Sequence, residues 1–189
     1  LTPEVVIDAA ALTEIRTPAV AVAGVLDRLR ASSEPLECVI VGAGVQGRAH
    51  ARTVVDVLEG VREVSVTFIS RSEPADLPYP WVESGSAAAD EVLGRAGLVV
   101  VATSAGEPVV VDRQLRPDAT VLAVGAHTVD TRELHEDVLR GAQVIVEDVE
   151  AARREAGDVA IAVEKGALAW EDVATMAEVV RGDLALDPA

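Results

Sequence analysis

A glycine-rich hexapeptide directly after an apolar run constrains the fold of this chain more than any other feature. Residues 37–41 have the pattern of a buried strand, and Gly42, Ala43, Gly44, Val45, Gln46 and Gly47 follow at once and open a helical pattern. In that context the glycines permit a tight turn, a close approach of pyrophosphate to the backbone, and close packing of helix on strand. The positive end of the helix dipole favours phosphate. The pattern predicts a dinucleotide site rather than an ordinary glycine-containing turn.

Strand and helix patterns alternate along the rest of the chain. Apolar, Val-rich runs predict strands, and helical spacing predicts the helices between them. The strands are expected at residues 37–41, 63–70, 98–103, 120–125 and 143–147. The helices are expected at residues 14–30 with Thr13 as N-cap, 44–58, 87–95, 133–140, 149–155 and 175–180, and residues 5–7 are read as an edge strand.

This alternation is typical of an α/β fold with a doubly wound parallel sheet, the architecture of the NAD(P)-binding Rossmann domain. We assign residues 35–189 to that domain and residues 1–34 to a strand and helix that lead into it. Ligands of such sheets bind beyond the carboxyl ends of the strands. Thr103, Ser104, Val124 and Gly125 follow two such strand ends, and we expect them to line the cofactor site.

The end of the second strand bears on the choice of cofactor. NAD-binding domains usually carry an acidic residue there, which holds the ribose hydroxyls. Here the strand ends in Ser70, Arg71 and Ser72, and Arg71 suits a 2′-phosphate. The sequence therefore predicts a preference for NADP(H), with NAD(H) as the other option. The alternative role for Arg71 is that of a solvated loop residue.

Composition excludes several classes of partner. The formal net charge of −16 disfavours nucleic acid and anionic membrane surfaces, and the sequence has no apolar run of bilayer-spanning length. A single cysteine, Cys38, forms no internal disulfide and suits the cytoplasm, and it is expected in the core. Acidic residues cluster at 147–150 without His or Cys at ligand spacing, so no metal site is predicted.

One histidine stands where substrate and cofactor would meet. His127 follows the strand at 120–125, and an imidazole with an ordinary pKa of about 6.5 exchanges protons near neutral pH. His127 is therefore a candidate proton donor, with a loop-capping role as the alternative. His50, on the first helix of the domain, is assigned to packing or surface, and His135 is expected to be solvated.

Taken together, these stretches resemble the ornithine cyclodeaminase/mu-crystallin family. The similar segments are an L-T-x-x-R-T stretch, the glycine turn, a V-G-A stretch followed by R-E-L, and the E-A-G-D and E-V-V-x-G stretches, at residues 12–17, 41–46, 124–127, 132–134, 154–158 and 178–182. The resemblance implies NAD(P)-dependent chemistry on amino acids or cyclic imines. It implies that Arg16 binds cofactor phosphates or a substrate carboxylate, with Thr17 beside it. It also likens residues 70–72 to the NADPH-using mu-crystallin branch.

Two departures from the family pattern qualify that expectation. The cyclodeaminases and alanine dehydrogenases carry Asp where this chain has His127, and the acid Asp130 is nearby but out of register. The sole lysine, Lys165, is not in the segment that grips substrate in the family, so we expect the substrate domain, through which the family dimerises, to be largely missing. An oxidoreductase acting on a small amino or imino acid is the leading hypothesis. A non-catalytic NADPH-dependent ligand-binding protein and another Rossmann class are the alternatives, and a homodimer is considered.

Overall fold

The computed structural model describes residues 4–187 and confirms an α/β architecture. Strands are β1 (Leu36–Val41), β2 (Val64–Ser70), β3 (Trp81–Glu83), β4 (Leu98–Val101), β5 (Thr120–Ala123), β6 (Ile145–Val146) and β7 (Ala174–Thr175). Helices are α1 (Ala9–Ala23), α2 (Leu26–Arg30), α3 (Val45–Leu58), α4 (Ala87–Arg95), α5 (Glu136–Leu139), α6 (Val149–Glu155), α7 (Gly157–Glu164) and α8 (Met176–Arg181). None of the helices within residues 4–187 has the length and apolarity needed to cross a membrane.

The main sheet has five strands in the order β3-β2-β1-β4-β5, and every pairing in it is parallel. The order reverses between β1 and β4, which places the switch point of the sheet beside the end of β1. The predicted doubly wound parallel sheet is therefore confirmed.

Apolar side chains cover both faces of this sheet. Alternate residues of β1 and β4 point to opposite sides, so Val39 and Val99 join one core cluster while Ile40 and Val100 join the other. Residues of α4, α5 and α7 complete the first cluster, and residues of α1, α2 and α3 complete the second. The molecule is thus a three-layer sandwich, and its central strands are buried as their near-continuous Val/Ile/Leu pattern predicted.

The N-terminal helix differs from the prediction. It begins at Ala9, where the Asp8 carboxylate accepts hydrogen bonds from two backbone amides, and not after Thr13. The Thr13 hydroxyl instead donates to the Ala9 carbonyl one turn earlier, at 2.8 Å. This hydrogen bond accommodates threonine, which often caps helices, inside a helix. The helix ends at Ala23, with Gly24 as its C-cap, and α2 follows as a separate helix. The strand predicted for residues 5–7 is wrong, because those residues are exposed and pair with no strand in the described chain.

The C-terminal third also departs from the prediction. The strand expected at 143–147 is reduced to β6, which pairs with β7 in a separate two-stranded sheet and does not extend the main sheet. The helix expected at 133–140 begins only at Glu136. The strands β3 and β7 and the helix α7 were not predicted. Both strands are too short to show a pattern, and the apolar residues of α7 follow α6 without a clear break.

Candidate functional site

The glycine turn connects β1 to α3 at the switch point of the sheet. Gly42 has a φ of 106°, and a methyl group on it would lie 2.3 Å from the Ala102 carbonyl oxygen. A methyl group on Gly47 would lie 1.9 Å from the Gly42 carbonyl oxygen. These two glycines are therefore required by the turn itself and by its packing against the end of β4. Gly44 differs, because no atom lies within 4 Å of the position that its Cβ would occupy.

The first turn of α3 is open to an anion. Gly44 is the N-cap, and no side chain in the described part of the chain caps this helix. The backbone amides at the start of a helix have no acceptor within the helix, so those of Val45 and Gln46 are available to a ligand. Together with the empty space beside Gly44, this arrangement fits a pyrophosphate. The chain thus supplies the cradle that a dinucleotide needs.

The end of β2 presents the exposed guanidinium of Arg71. The Ser70 hydroxyl accepts a hydrogen bond from the Trp81 indole at 2.7 Å and donates to the Ser72 carbonyl at 2.8 Å, so it is already engaged. Arg71 and Ser72 are exposed. Within residues 4–187 no acidic side chain forms an ion pair with the Arg71 guanidinium. Arg71 is therefore available to an anionic ligand, whereas Ser70 orders the turn.

Arg48, which the sequence analysis did not single out, holds the glycine turn and the loop after β2 together. Its guanidinium donates to the Ala43 carbonyl at 3.1 Å, to the Ala75 carbonyl at 2.7 Å and to the Asp76 carbonyl at 3.1 Å. Three backbone carbonyls from two loops thus converge on one side chain. The hexapeptide motif gave no signal for this contact, because the carbonyls come from a loop without a recognisable pattern.

A buried carboxylate joins the ends of β4 and β5. Glu133 is fully buried, and one of its oxygens accepts hydrogen bonds from the Thr103 amide at 2.5 Å and the Thr103 hydroxyl at 2.6 Å. The other oxygen accepts from the Gly125 amide at 2.6 Å. We call Glu133 and these two partners the strand-end clamp. It uses the Thr103 hydroxyl and the Gly125 amide internally, so neither is free to donate to a ligand.

The clamp changes the reason for a glycine at position 125. From the sequence, Gly125 is expected to line the cofactor site. A methyl group there would lie 2.3 Å from the Thr103 carbonyl oxygen and 2.5 Å from the Glu133 carboxylate. The space beside Gly125 is filled by the protein itself, so this position requires glycine for internal packing.

Asp158, in the first turn of α7, holds the backbone of Glu133 in place. The Asp158 carboxylate accepts hydrogen bonds from the Glu133 and Leu134 amides, each at 2.8 Å. Burial raises the pKa of Asp158, while these two amides act in the opposite direction. A methyl group on the neighbouring Gly157 would lie 1.8 Å from the Thr131 carbonyl oxygen. The R-E-L and E-A-G-D stretches therefore contact each other, which their separation in the sequence concealed.

The two candidate catalytic residues lie on an exposed loop beside the clamp. The His127 imidazole is hydrogen-bonded through Nδ1 to the Gly125 carbonyl at 2.9 Å. Asp130 is exposed, and a hydrogen bond from Thr128 lowers the pKa of its carboxyl group. Ser104 is also exposed, and the Val124 amide donates to the Val101 carbonyl within the sheet. Catalytic roles for His127 and Asp130 remain predictions.

Arg16 is tied to an acid. Its guanidinium lies 2.6 Å from the Glu147 carboxylate in an exposed ion pair, and Thr17 beside it is half-buried. The helix that carries Arg16 contacts the glycine turn through Gln46, whose side-chain amide donates to the Thr13 carbonyl at 3.3 Å. Arg16 is thus on the helix that packs beside the turn, but it faces a carboxylate that any other anion would have to displace.

The remaining titratable candidates have structural environments. Cys38 is buried in β1, and burial raises the pKa of its thiol to about 12. His50 is fully buried, whereas His135 caps α5 and is partly exposed. Over residues 4–187 no group of three or more His, Cys, Asp or Glu side chains could hold a metal ion.

Comparisons with known proteins show the family of the chain and agree with its fold. The sequence pattern of the Ornithine cyclodeaminase/mu-crystallin family matches residues 2–185. Delta(1)-pyrroline-2-carboxylate reductase 1 of Burkholderia multivorans is 30% identical over 187 residues, which cover 95% of this chain and 56% of that protein. The chain therefore spans a little over half the length of this relative.

Two solved structures share the fold over the same fraction of their length. Thermococcus litoralis Delta(1)-pyrroline-2-carboxylate reductase, in complex with NADH and L-proline, is 25% identical with a TM-score of 0.73; the match covers 92% of this chain and 56% of that one. An archaeal alanine dehydrogenase dimer with bound NAD is 26% identical with a TM-score of 0.73, covering 96% of this chain and 57% of that one.

Proposed function

The chain belongs to the ornithine cyclodeaminase/mu-crystallin family, and on that premise we propose that it is the dinucleotide-binding part of an oxidoreductase that reduces the C=N bond of a small cyclic imino acid. The observation that carries the proposal is the turn at residues 42–47, in which Gly44 leaves open space beside uncapped helix amides. The similarity to two Delta(1)-pyrroline-2-carboxylate reductases supports the substrate class.

In this proposal the residues of the chain bind and orient the cofactor. The amides of Val45 and Gln46 hold the pyrophosphate at the positive end of α3. The adenosine half extends toward Arg71 at the end of β2, and the nicotinamide half lies on the other side of the switch point, toward the ends of β4 and β5. When bound, the nicotinamide supplies the hydride, and the protein supplies orientation and electrostatics.

We further propose that the cofactor is NADP(H) and that Arg71 pairs with its 2′-phosphate. Support comes from the exposed Arg71 guanidinium, which pairs with no acid within residues 4–187, and from the absence of an acid at the end of β2 in the sequence. The two solved relatives hold NADH or NAD, so the proposed cofactor differs from theirs by the 2′-phosphate.

The Arg71→Ala substitution tests that preference. We expect the purified chain to bind NADPH at least tenfold more tightly than NADH, because a charge-assisted pair contributes about 1.5–3 kcal/mol. Arg71→Ala should remove this difference and leave NADH binding unchanged, measured by titration of cofactor fluorescence. Arg154→Ala, which removes another exposed arginine, is the matched control. Equal affinities of the wild-type chain for NADPH and NADH would refute the preference, although not the dinucleotide site.

The imine-reductase activity is tested by turnover. Oxidation of the preferred cofactor in the presence of Delta(1)-pyrroline-2-carboxylate would support it, with L-ornithine as the comparison substrate. Binding of the cofactor without oxidation would favour the second candidate, a ligand-binding protein that depends on NADPH. One observation on the described residues favours that candidate: Lys165 lies 2.8 Å from Glu136 in an ion pair and is thus engaged within the chain.

A further inference from the structure

We propose that Glu133 is a positioning residue for the nicotinamide half of the site, acting through the backbone of Thr103 and Gly125. This inference rests on the proposed function, since it assigns a task to the strand ends that the nicotinamide half would contact. The hydrogen bonds of the clamp join Glu133 only to Thr103 and Gly125, and none of them involves the glycine turn or the residues at the end of β2.

The chemistry of the clamp requires a carboxylate. Glu133 is fully buried, and a buried charge is unfavourable unless hydrogen bonds compensate it. Three donors do so here, and they are divided between the two oxygens: one oxygen serves Thr103 and the other serves Gly125. A carboxamide has only one acceptor oxygen, and its NH₂ group would face an N–H group on the other side. Only an acid of this length therefore holds both strand ends at once.

The location of the clamp links it to the nicotinamide half of the proposed site. Thr103 and Gly125 lie just beyond the ends of β4 and β5, on the opposite side of the switch point from β2 and β3. Because both amides donate inward to Glu133, the orientation of these two peptide groups is fixed. The Gly125 carbonyl in turn holds the His127 imidazole. One buried side chain thus sets the backbone of both strand ends and, through it, the candidate proton donor.

The backbone of Glu133 is itself held in place. The Asp158 carboxylate accepts the amides of Glu133 and Leu134, and Gly157 packs against the loop that ends at Thr131. This chain of contacts runs from α7 through Glu133 to the carboxyl edge of the sheet. It also accounts for the R-E-L and E-A-G-D stretches, which carry conspicuous acids yet lie away from the glycine turn.

Glu133→Gln tests the clamp without a cofactor. Short hydrogen bonds to a carboxylate shift amide proton resonances downfield and slow their exchange with solvent. In the wild-type chain we expect both signatures for the Thr103 and Gly125 amides, and in Glu133→Gln we expect at least one amide to lose them. Glu136→Gln, at an acid three residues further along the chain that pairs with Arg132 and Lys165, should leave both amides unchanged. Unchanged amides in Glu133→Gln would show that the clamp does not order the strand ends.

The positioning role is tested by comparing the binding of the whole cofactor with the binding of its adenosine half. Glu133→Gln should weaken NADPH binding about tenfold, the effect of losing one hydrogen bond to a charged group, and change binding of 2′,5′-ADP less than twofold. The second ligand carries only the adenosine half, so a general loss of structure would weaken both. Equal losses for the two ligands, or no loss for either, would overturn the positioning role.

Two further controls keep the outcomes distinct. If Glu133→Gln does not fold, Asp158→Asn is the second variant, because Asp158 binds the backbone of Glu133. It should also weaken binding of NADPH more than binding of 2′,5′-ADP, with a smaller change. If the wild-type chain binds neither ligand, the proposed function and the nicotinamide role fail together, whereas the amide signals still decide whether Glu133 orders the strand ends.

Discussion

The three glycines of the hexapeptide are required for different reasons, and those reasons can be separated by substitution. Gly47→Ala places a methyl group 1.9 Å from a backbone oxygen that has little room to move. We expect a loss of about 2–3 kcal/mol in the free energy of unfolding, measured by urea denaturation. Gly44→Ala is the matched variant, because its methyl group meets nothing within 4 Å and its φ of −74° suits alanine.

For Gly44→Ala we expect unchanged stability and a dinucleotide affinity lowered by about tenfold or more, since the methyl group occupies the approach of the pyrophosphate. Normal affinity in Gly44→Ala would show that no ligand comes close to this backbone. A stable Gly47→Ala would show that the turn can relax.

Single residues were predictable where their role is local. The glycine turn follows from a short pattern, and the position of Cys38 in a buried strand follows from its neighbours. Glu133 could not be found in that way, because an acid at the start of an expected helix is ordinarily solvated. Its burial depends on Thr103, Gly125 and Asp158, which are distant in the sequence. No local periodicity reports such a contact.

At the scale of elements, most strands and helices were predicted, and the shortest strands were missed. The strands β1, β2, β4 and β5 and the helices α3, α4, α6 and α8 lie where their patterns indicated, with ends shifted by a few residues at most. The two-residue strands β6 and β7 exist only because they pair with each other. The start of α1 was misplaced because Asp8 competed with Thr13 as a cap, and sequence alone does not show which side chain reaches free amides.

The helix α3 carries a buried histidine, His50, and we expect it to make stability depend on pH. Gln46 on α3 bonds to Thr13 on α1, and His50 lies one helical turn further along the same side. The His50 Nδ1 lies 2.8 Å from the Gln46 carbonyl, which can only accept, so Nε2 carries the lone pair. Burial lowers the pKa of His50, more than this hydrogen bond raises it. The folded chain therefore keeps His50 neutral at pH values where the unfolded chain protonates it.

The sign of the effect follows directly. Above an unfolded pKa of about 6.5 both states are neutral and stability is complete; as the pH falls below that value, the unfolded state binds the extra proton and stability is lost. We expect the wild-type chain to lose more stability between pH 7.5 and 5.5 than His50→Asn, whose amide still donates to the Gln46 carbonyl. His135→Asn, at the exposed cap of α5, should behave like wild type. Equal pH dependence of wild type and His50→Asn, measured by thermal melts, would contradict this account.

The whole molecule is the most predictable level of the structure. Alternating strands and helices sufficed to predict a parallel, doubly wound sheet, because few topologies bury both faces of such a sheet. No comparable sequence pattern indicated what covers the surface at the N-terminal end. Apolar side chains exposed there are those of Val5, Val6, Ile7, Leu12 and Ile15.

We expect two copies of the chain to associate through this N-terminal surface, because several apolar side chains exposed together mark a surface that another protein covers. Sedimentation at about 0.15 M salt, which screens the net charge of −16, should show a species of twice 19.7 kDa. Ile15→Glu should dissociate it, whereas Val180→Glu, which charges an equally exposed apolar position on α8, should not. A single-copy mass at every concentration, or dissociation by both variants, would count against this surface.

The wholly parallel sheet has a further consequence, for the kinetics of folding. No two neighbouring strands of the main sheet are joined by a hairpin, so each of the four pairings must wait for an intervening stretch of chain to close. The entropy of those closures is lost before any ladder of hydrogen bonds is gained, which makes sheets of this kind slow to form. The central strand β1 pairs only with segments that follow it, so during synthesis it waits, apolar and unpaired, until β2 has emerged.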